Sequence, residues 1–327
     1  MKIAFVGKGG SGKTTLSALF ARHLASTGAQ VVAVDADINQ HLGVALGLSE
    51  REAAAVPALG AHLPRAKEYL RGDNPRIADA ADMVKTTPAG RGSRLLRVAG
   101  GDDPFHTDWS IPVAPNLRLM ASGPFAEDDL GVACYHSKTG AVELYLNHLV
   151  DVENEYVVVD MTAGADCFAS GLFTRFDLTF LVAEPTVRGT GVYQQYRDYA
   201  DGYDVALAVV GNKVTGPEDA DFLRDRVGAD LLACFGSSRY VRAAEQGRVE
   251  PLDLLEPEYR EVLRILARAA QARPKGPEAW ARFQRQAVEF HLRNARAWAG
   301  RATGADLAAH VDPEFVHGPQ ALSAVFA

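Results

Sequence analysis

The start of the chain constrains its fold most strongly, because an apolar run, a glycine-rich loop and a helical pattern follow one another there. Residues 2–6 read Lys-Ile-Ala-Phe-Val and end at a glycine, which is typical of a short buried strand. Residues 7–15 read Gly-Lys-Gly-Gly-Ser-Gly-Lys-Thr-Thr and contain the full G-x-x-x-x-G-K-T pattern of a phosphate-binding loop. Apolar residues then recur at helical spacing over residues 13–27. This order of strand, loop and helix predicts a nucleotide site.

The predicted contacts of the loop follow from its residue types. Its glycines let the main chain turn N–H groups towards phosphate oxygens, beside the positive end of the following helix. Lys13 is predicted to contact the β- and γ-phosphates, and the Thr14 hydroxyl is predicted to bind Mg²⁺. The other loop residues predicted to contact the nucleotide are Gly9, Gly10, Ser11, Gly12 and Thr15.

A second lysine, Lys8, stands near the start of the loop, where it cannot easily reach phosphates held at the loop's far end. A loop with lysines at both positions resembles the deviant Walker A class, which includes MinD/ParA-type ATPases, the nitrogenase iron protein, arsenite and tail-anchored-protein ATPases, and nickel-insertion ATPases. In that class the first lysine acts across a nucleotide-sandwiched dimer. The resemblance therefore implies binding and hydrolysis of ATP to ADP, a homodimer in the ATP-bound state, and catalytic roles for Lys8 and Lys13.

The rest of the chain alternates apolar runs with helical patterns. The runs lie at residues 31–34, 156–159, 178–183 and 205–210, and helical patterns separate several of them. Repeated β-α units predict an α/β fold with a doubly wound, mostly parallel sheet, as in P-loop NTPases. Residues 49–115 interrupt the alternation with many alanines, prolines and glycines. They are predicted to be an insertion of short helices and loops with one strand at residues 95–98.

The C-terminal part is predicted to be helical. Helical spacing over residues 259–266 predicts a helix that closes the core, and residues 273–277, Arg-Pro-Lys-Gly-Pro, then break the pattern. Residues 1–272 are therefore predicted to form the ATPase domain, and residues 273–327 a helical extension. Trp280, Phe283, Ala287 and Phe290 recur on one face of this extension, so it packs either on its own core or on a partner.

Composition limits the partners and the compartment. The 327-residue chain is 47% hydrophobic and carries a net charge of −7, which argues against nonspecific DNA binding, so no nucleic-acid partner is expected. No apolar run approaches the ~20 residues of a membrane span and no signal peptide is recognised, so we expect a cytoplasmic protein. The three cysteines are too few for a disulfide framework and are expected to be free thiols or metal ligands.

Polar residues at the ends of later strands complete the predicted hydrolytic site, because α/β sheets bind ligands there. Asp37 is predicted to orient or deprotonate the water that attacks the γ-phosphate, and Asp160 to support hydrated Mg²⁺ as a Walker B aspartate. Each aspartate has the alternative role of a helix N-cap or a loop ion pair. Gly164 is predicted to place its N–H near the γ-phosphate, and Asn212 and Lys213 are predicted to contact the adenine edge.

The order and spacing of four motifs resemble the nickel-insertion ATPases that mature carbon monoxide dehydrogenase; the motifs lie at residues 35–37, 160–164, 184–186 and 212–214. The resemblance covers roughly residues 1–250 and implies a metallochaperone or maturation factor with a client metalloprotein. That family carries a Cys-x-Cys metal motif, whereas this chain has Cys134-Tyr135-His136 at the matching place. Cys134 and His136 from two subunits would give an S₂N₂ site for Zn²⁺ or Ni²⁺. The alternative is a half-buried cysteine beside a solvated histidine.

A second resemblance competes for the same cysteine. Cys134 and Cys167, which stands seven residues after Asp160, match the cluster ligands of the nitrogenase iron protein. Two copies of each would hold a [4Fe–4S] cluster, and the protein would then be an ATP-gated electron donor. Cys167 has the alternative role of a small buried residue, and Cys234 is expected to lie in the core. A third possibility is a metal-free, MinD/ParA-type switch that docks a protein partner.

Overall fold

The computed structural model describes residues 1–124, 136–163, 168 and 171–323. Within these residues the strands are β1 Lys2–Gly7, β2 Gln30–Ala36, β3 Ser110–Ala114, β4 Leu117–Ala121, β5 Glu155–Met161, β6 Leu178–Ala183, β7 Leu207–Gly211 and β8 Leu231–Cys234. They form one eight-stranded sheet in the order β3-β4-β2-β5-β1-β6-β7-β8. The β3–β4 pair is antiparallel and the other pairs are parallel. The predicted α/β fold with a mostly parallel, doubly wound sheet is confirmed.

Helices cover both faces of the sheet. In chain order they are α1 Lys13–Ser26, α2 Leu42–Ala45, α3 Glu50–Ala54, α4 Leu63–Arg71, α5 Pro104–Trp109, α6 His136–His148, α7 Val187–Thr190, α8 Tyr193–Gly202, α9 Pro217–Val227, α10 Arg239–Glu245, α11 Pro257–Gln271, α12 Pro277–Asn294, α13 Gly300–Thr303 and α14 Pro319–Ser323. Short 3-10 turns include Leu59–His62, Ala80–Asp82, Gly171–Arg175 and Leu307–His310, and Ala295–Ala299 is π-helical. Apolar residues of α1 and α11 fill the core on one face, and those of α6 and α8 fill the core on the other.

The register of the central strands sets up the site. β1 lies between β5 and β6, and all of its residues are buried. The Phe5 ring packs on Phe20 of α1 and on Phe180 of β6, with centroid separations of 5.7 and 5.2 Å, which fixes α1 over the middle of the sheet. Asp35 of β2 pairs with Asp160 of β5. Two carboxylates therefore stand side by side at the carboxyl edge of the sheet, beside the loop that follows β1.

The sheet edge differs from the prediction. Residues 95–98 do not form a strand, and Leu96 makes one isolated bridge to Leu149. The apolar pattern there reflects burial instead, because Leu96 and Val98 belong to the core on the side of α6. The strands β3, β4 and β8 were not predicted. β3 lies within residues 49–115 and carries Pro112, a residue that sheets tolerate at an edge, and the register of the β3–β4 pair shifts there.

The described part of the C-terminal extension packs on the chain itself. α12 starts at Pro277, directly after Gly276, and buries Trp280, Phe283 and Phe290. Its connection to the core is charged as well as apolar, since Lys275 lies 2.8 Å from both Asp151 and Asp177. Among the described residues, no helix combines the length and apolar character that crossing a bilayer requires.

Candidate nucleotide-binding site

The phosphate-binding loop has a conformation that only glycine accommodates at two of its positions. Gly7 ends β1 with φ +147°, and a Cβ there would lie 2.4 Å from the Val182 carbonyl oxygen of β6. Gly12 has φ +94°, and its Cβ would lie 2.1 Å from Nδ2 of Asn212. Both values lie in the region of positive φ that L-residues rarely adopt. The loop is thus held tightly between β6, the segment after β7 and the first turn of α1.

Asn212 and Lys213 contact this loop from the end of β7. Asn212 Nδ2 donates to the Ser11 carbonyl at 2.7 Å, and Lys213 Nζ donates to the Gly10 carbonyl at 2.7 Å. Because C=O and N–H point in opposite directions in a trans peptide, the Ser11 carbonyl turned to Asn212 leaves the Gly12 N–H pointing the other way. Lys213 adopts φ +59°, a strained value of the kind that clusters at functional sites. The structure places both residues at the loop backbone; their predicted contact with adenine stays a prediction.

Thr14 and Asp160 meet directly. Thr14 Oγ1 donates to Asp160 Oδ2 at 2.6 Å, and the Asp160 side chain is fully buried. Burial raises the pKa of Asp160 to about 7, while the Thr14 hydrogen bond and the Lys13 charge act in the opposite direction. The second oxygen, Oδ1, is buried and has no hydrogen-bond partner among the described residues. A buried carboxylate oxygen of this kind fits the hydrated Mg²⁺ that the sequence predicts there.

Asp35 is a buried acid beside Asp160 and was not among the predicted site residues. Its Oδ2 accepts the Leu42 N–H at 2.8 Å and its Oδ1 accepts the Asp37 N–H at 3.2 Å, so it shapes the loop that follows β2. Burial, and then the charge of Asp160, raise the pKa of Asp35 to about 8. The position was detectable in principle, because Asp35 falls at the end of an apolar run two residues before Asp37.

Asp37 lies in the loop just beyond β2, largely buried. Its Oδ1 accepts hydrogen bonds from the main-chain N–H and from the side-chain amide of Asn39, at 3.0 and 3.1 Å. The Asp37 charge is also felt by Asp160, whose pKa it raises. Asp37, Asp160 and Lys13 therefore surround one region at the carboxyl edge of the sheet.

The two lysines of the loop differ in exposure. The Lys13 residue is 5% exposed at the start of α1, whereas Lys8 is only partly buried. Lys13 acts electrostatically on Asp160. The predicted role of Lys8 at a second copy of the chain stays a prediction.

A cleft of about 790 Å³ extends from the loop across the outer face of α1. Its floor includes Thr15, Leu19 and Arg22 of α1, and its walls come from α2 and α3 on one side and from α10 on the other. This volume lies within the range of small-molecule sites in proteins.

The remaining predicted ligands fall largely outside the described residues. Cys134, Gly164 and Cys167 lie outside them, and His136 is described only as the first backbone residue of α6. Cys234 ends β8 and is partly buried, which raises the pKa of its thiol. Within the described ranges, no three histidine, cysteine, aspartate or glutamate side chains cluster in a way that could hold a metal ion.

Two known proteins are similar to this chain. The carbon monoxide dehydrogenase accessory protein CooC of Rhodospirillum rubrum is 26% identical over 265 residues, covering 78% of this chain and 90% of its own. An uncharacterized ATP-binding protein of Methanocaldococcus jannaschii is 28% identical over 241 residues, covering 71% of this chain and 81% of its own.

A solved structure supports the fold. The plasmid partition protein of Borrelia burgdorferi B31 bound to AMPPNP superposes with a TM-score of 0.53 at 14% identity, covering 83% of this chain and 98% of that one. Residues 3–227 match the family model described as the CobQ/CobB/MinD/ParA nucleotide binding domain. The resemblance to MinD/ParA-type P-loop proteins is confirmed, and the chain belongs to the CobQ/CobB/MinD/ParA family of nucleotide-binding domains.

Proposed function

We propose that this protein is an ATP-hydrolysing dimeric switch that serves the maturation of a metalloenzyme. The observation that carries the hydrolytic part is the contact of Thr14 with Asp160, whose second oxygen is buried without a partner among the described residues. A hydroxyl and a buried carboxylate joined in this way beside Lys13 are the groups that a P-loop uses to hold Mg²⁺ and triphosphate.

Each residue of the proposed site has its own role in ATP hydrolysis. The loop N–H groups and Lys13 bind the phosphates, and Thr14 and Asp160 hold the hydrated Mg²⁺, which neutralises charge on the β- and γ-phosphate oxygens when bound. Asp37 orients the attacking water and accepts its proton. Asp35 positions Asp37 by accepting its main-chain N–H at 3.2 Å. Catalysis by such a site is mainly positioning and electrostatic stabilisation.

The proposed dimer is supported by the partial exposure of Lys8. In the proposal Lys8 approaches the nucleotide of a second copy, while Lys13 serves the nucleotide of its own chain. ATP then bridges the two copies and its hydrolysis releases them. In this arrangement neither subunit has a complete site alone, so dimerisation and hydrolysis are coupled.

The maturation role is supported by the relative named as a carbon monoxide dehydrogenase accessory protein, with which this chain shares most of its length. The client is accordingly a metalloprotein. Zn²⁺ or Ni²⁺ would be cargo held by Cys134 and His136 of two subunits. The [4Fe–4S] electron donor with Cys134 and Cys167 and the metal-free switch are the alternatives that metal analysis separates.

The hydrolytic proposal is tested by comparing Mg²⁺-dependent ATP turnover in the wild type, Lys13→Ala and Lys67→Ala. Lys67 is a lysine of α4, and its Nζ donates to the Ala81 carbonyl oxygen at 3.3 Å. We expect turnover to fall by at least about a hundredfold in Lys13→Ala, because the developing γ-phosphate charge loses its cation, and to stay unchanged in Lys67→Ala. Equal turnover in all three proteins would refute the assignment of the site.

A further inference from the structure

Glu184 and Lys213 form an ion pair at the carboxyl edge of the sheet, beside the phosphate-binding loop. Glu184 directly follows β6, and Lys213 lies two residues after the end of β7. The two strands stay paired to their ends, and just beyond them the Asn212 N–H donates to the Ala183 carbonyl at 2.9 Å. Lys213 Nζ lies 2.5 Å from Glu184 Oε1. The register of β6 and β7 therefore brings the two side chains together.

The main chain at Glu184 is fixed by the turn that begins α7. The Thr186 N–H donates to the Glu184 carbonyl at 2.8 Å, and Thr186 Oγ1 accepts the Gly189 N–H at 2.8 Å. A Cβ on Gly189 would lie 2.4 Å from the Glu184 carbonyl oxygen, so only a glycine allows this close approach. Residues 184–186, one of the motifs in the sequence, thus hold the main chain of Glu184 in place at the end of β6.

Lys213 holds the phosphate-binding loop with the same ammonium group. Its Nζ donates to the Gly10 carbonyl at 2.7 Å, and the N–H of that peptide, which belongs to Ser11, donates to the Lys8 carbonyl at 3.1 Å. The second hydrogen bond closes a turn in which Gly10 has φ +79°, a value typical of the third residue of a type II turn. The peptide is held on both sides, and Lys213 supports the turn that begins at Lys8.

The exposure of the ion pair separates its effect on the loop from its effect on stability. The side chains of Lys213 and Glu184 are 59% and 30% exposed, and ion pairs that water reaches contribute little to the free energy of unfolding. A lysine that turns away from the loop, however, removes one of the two hydrogen bonds that hold the Gly10 peptide. A loop that adopts its binding conformation only part of the time binds its ligand more weakly by that fraction.

We propose that Glu184 is a positioning residue of the nucleotide site and that it acts through Lys213. The Glu184 carboxylate keeps Lys213 Nζ at the Gly10 carbonyl, and this contact keeps the loop in the conformation that accepts phosphates. The proposal rests on the proposed nucleotide site. It differs from the predicted contact of Lys213 with adenine, because a contact that positions the loop affects the binding of phosphates with or without a base.

Two probes that differ in the base test the proposal on the full chain: a non-hydrolysable ATP analogue and inorganic tripolyphosphate, each with Mg²⁺. We expect Lys213→Met to raise the Kd of both probes by about tenfold, and Glu184→Gln to raise both by about threefold, because the loop is then in its binding conformation for a smaller part of the time. Weaker binding of the ATP analogue alone would indicate a contact with the base and would overturn the positioning role.

The double variant shows whether Glu184 acts through Lys213. Once residue 213 is no longer a lysine, loss of the Glu184 charge should have no further effect on the loop. The Kd of the double variant is therefore expected to equal that of Lys213→Met, which is the non-additive result of two residues that act in one contact. Independent effects that multiply in the double variant would contradict the proposal.

Glu289→Gln provides a matched control, because it makes the same change in an exposed ion pair of α12, where Glu289 Oε1 lies 2.7 Å from Arg293 Nη2. It is expected to bind both probes as the wild type does. The Tm of every variant should stay within about 2 °C of the wild type, since neither ion pair is buried, and a larger fall in Glu184→Gln would show a role in the fold instead of the loop.

The wild type separates the two levels of the proposal. If the wild type binds neither probe, the proposed nucleotide site itself fails. If the wild type binds both probes and Glu184→Gln binds them equally well, the nucleotide site stands and the role of Glu184 is wrong.

Discussion

The buried charges around Lys275 predict how strongly the C-terminal extension is held. Lys275 Nζ lies 2.8 Å from Asp151 Oδ1 and 2.8 Å from Asp177 Oδ2, and its side chain is only 6% exposed. Burial disfavours its charge, but the two carboxylates outweigh burial and raise the pKa of Lys275. Lys275→Met keeps the unbranched apolar stem of the side chain and leaves both carboxylates without this cation.

The expected loss of stability depends on the contacts that the two carboxylates keep in the variant. Removing one member of a buried ion pair typically costs 3–5 kcal/mol, but Asp151 keeps Lys2 Nζ at 3.3 Å and Asp177 keeps the Lys2 main-chain N–H at 2.8 Å. We therefore expect a loss of free energy of unfolding at the lower end of this range, about 3 kcal/mol, which corresponds to about 4 °C in Tm for a chain of this length.

Urea unfolding of Lys275→Met and of Arg282→Met measures this cost with an internal control. Arg282 also anchors the extension, at 2.6 Å from Asp204, but the two side chains are 36% and 83% exposed. Exposed pairs contribute less than about 1 kcal/mol, so Arg282→Met should be nearly neutral. Equal losses in the two variants would refute the argument that the buried cluster holds the extension.

Three further predictions follow from the site and the core. Asp37→Asn should retain ATP binding and lose hydrolysis; nucleotide titration with single-turnover assays checks this, and wild-type turnover would remove Asp37 from catalysis. Burial lowers the pKa of His148 and of His291 from 6.5 to about 4. Because the unfolded chain binds more protons between these values, the free energy of unfolding should fall as the pH drops from 6.5 towards 4. Urea titrations at several pH values measure this, and a free energy of unfolding that does not change over this range would contradict it. In equilibrium dialysis, Zn²⁺ or Ni²⁺ binding should be lost in Cys134→Ser and kept in Cys167→Ser. Loss of metal in both variants would support a cluster, and no metal in any of the proteins, the wild type included, would support a metal-free switch.

The sequence predicts the centre of the molecule well because its signals there are local. The loop at residues 7–15 and the apolar runs that become β1, β2, β5, β6 and β7 lie where the structure has them. Asp160 falls at the end of a buried strand, and its contact with Thr14 follows from the pairing of β1 with β5. Local pattern and topology are sufficient for this part of the site.

The parts that were not predicted depend on contacts between distant residues. The hydrogen bond of Asn212 to Ser11 joins residues 201 positions apart, so no spacing pattern in the sequence predicts it. Lys2 starts the run predicted as a buried strand, but no local pattern indicates that its charged side chain lies fully buried between Asp151 and the aromatic rings of α12. The strands β3 and β4 are short, and the register of their pairing shifts at Pro112. Their apolar residues resemble those of the loops around them.

The most direct test of the dimeric switch is complementation between Lys8→Ala and Lys13→Ala. Each variant alone is expected to be inactive, because every site then lacks one lysine. When the two are mixed, a heterodimer contains one complete site, with Lys13 of one subunit and Lys8 of the other. Mixing at equal concentration is expected to restore up to about a quarter of wild-type ATP turnover, since half of the dimers are mixed and each has one complete site of two. Folded variants whose mixture stays as inactive as the separate proteins would contradict the account.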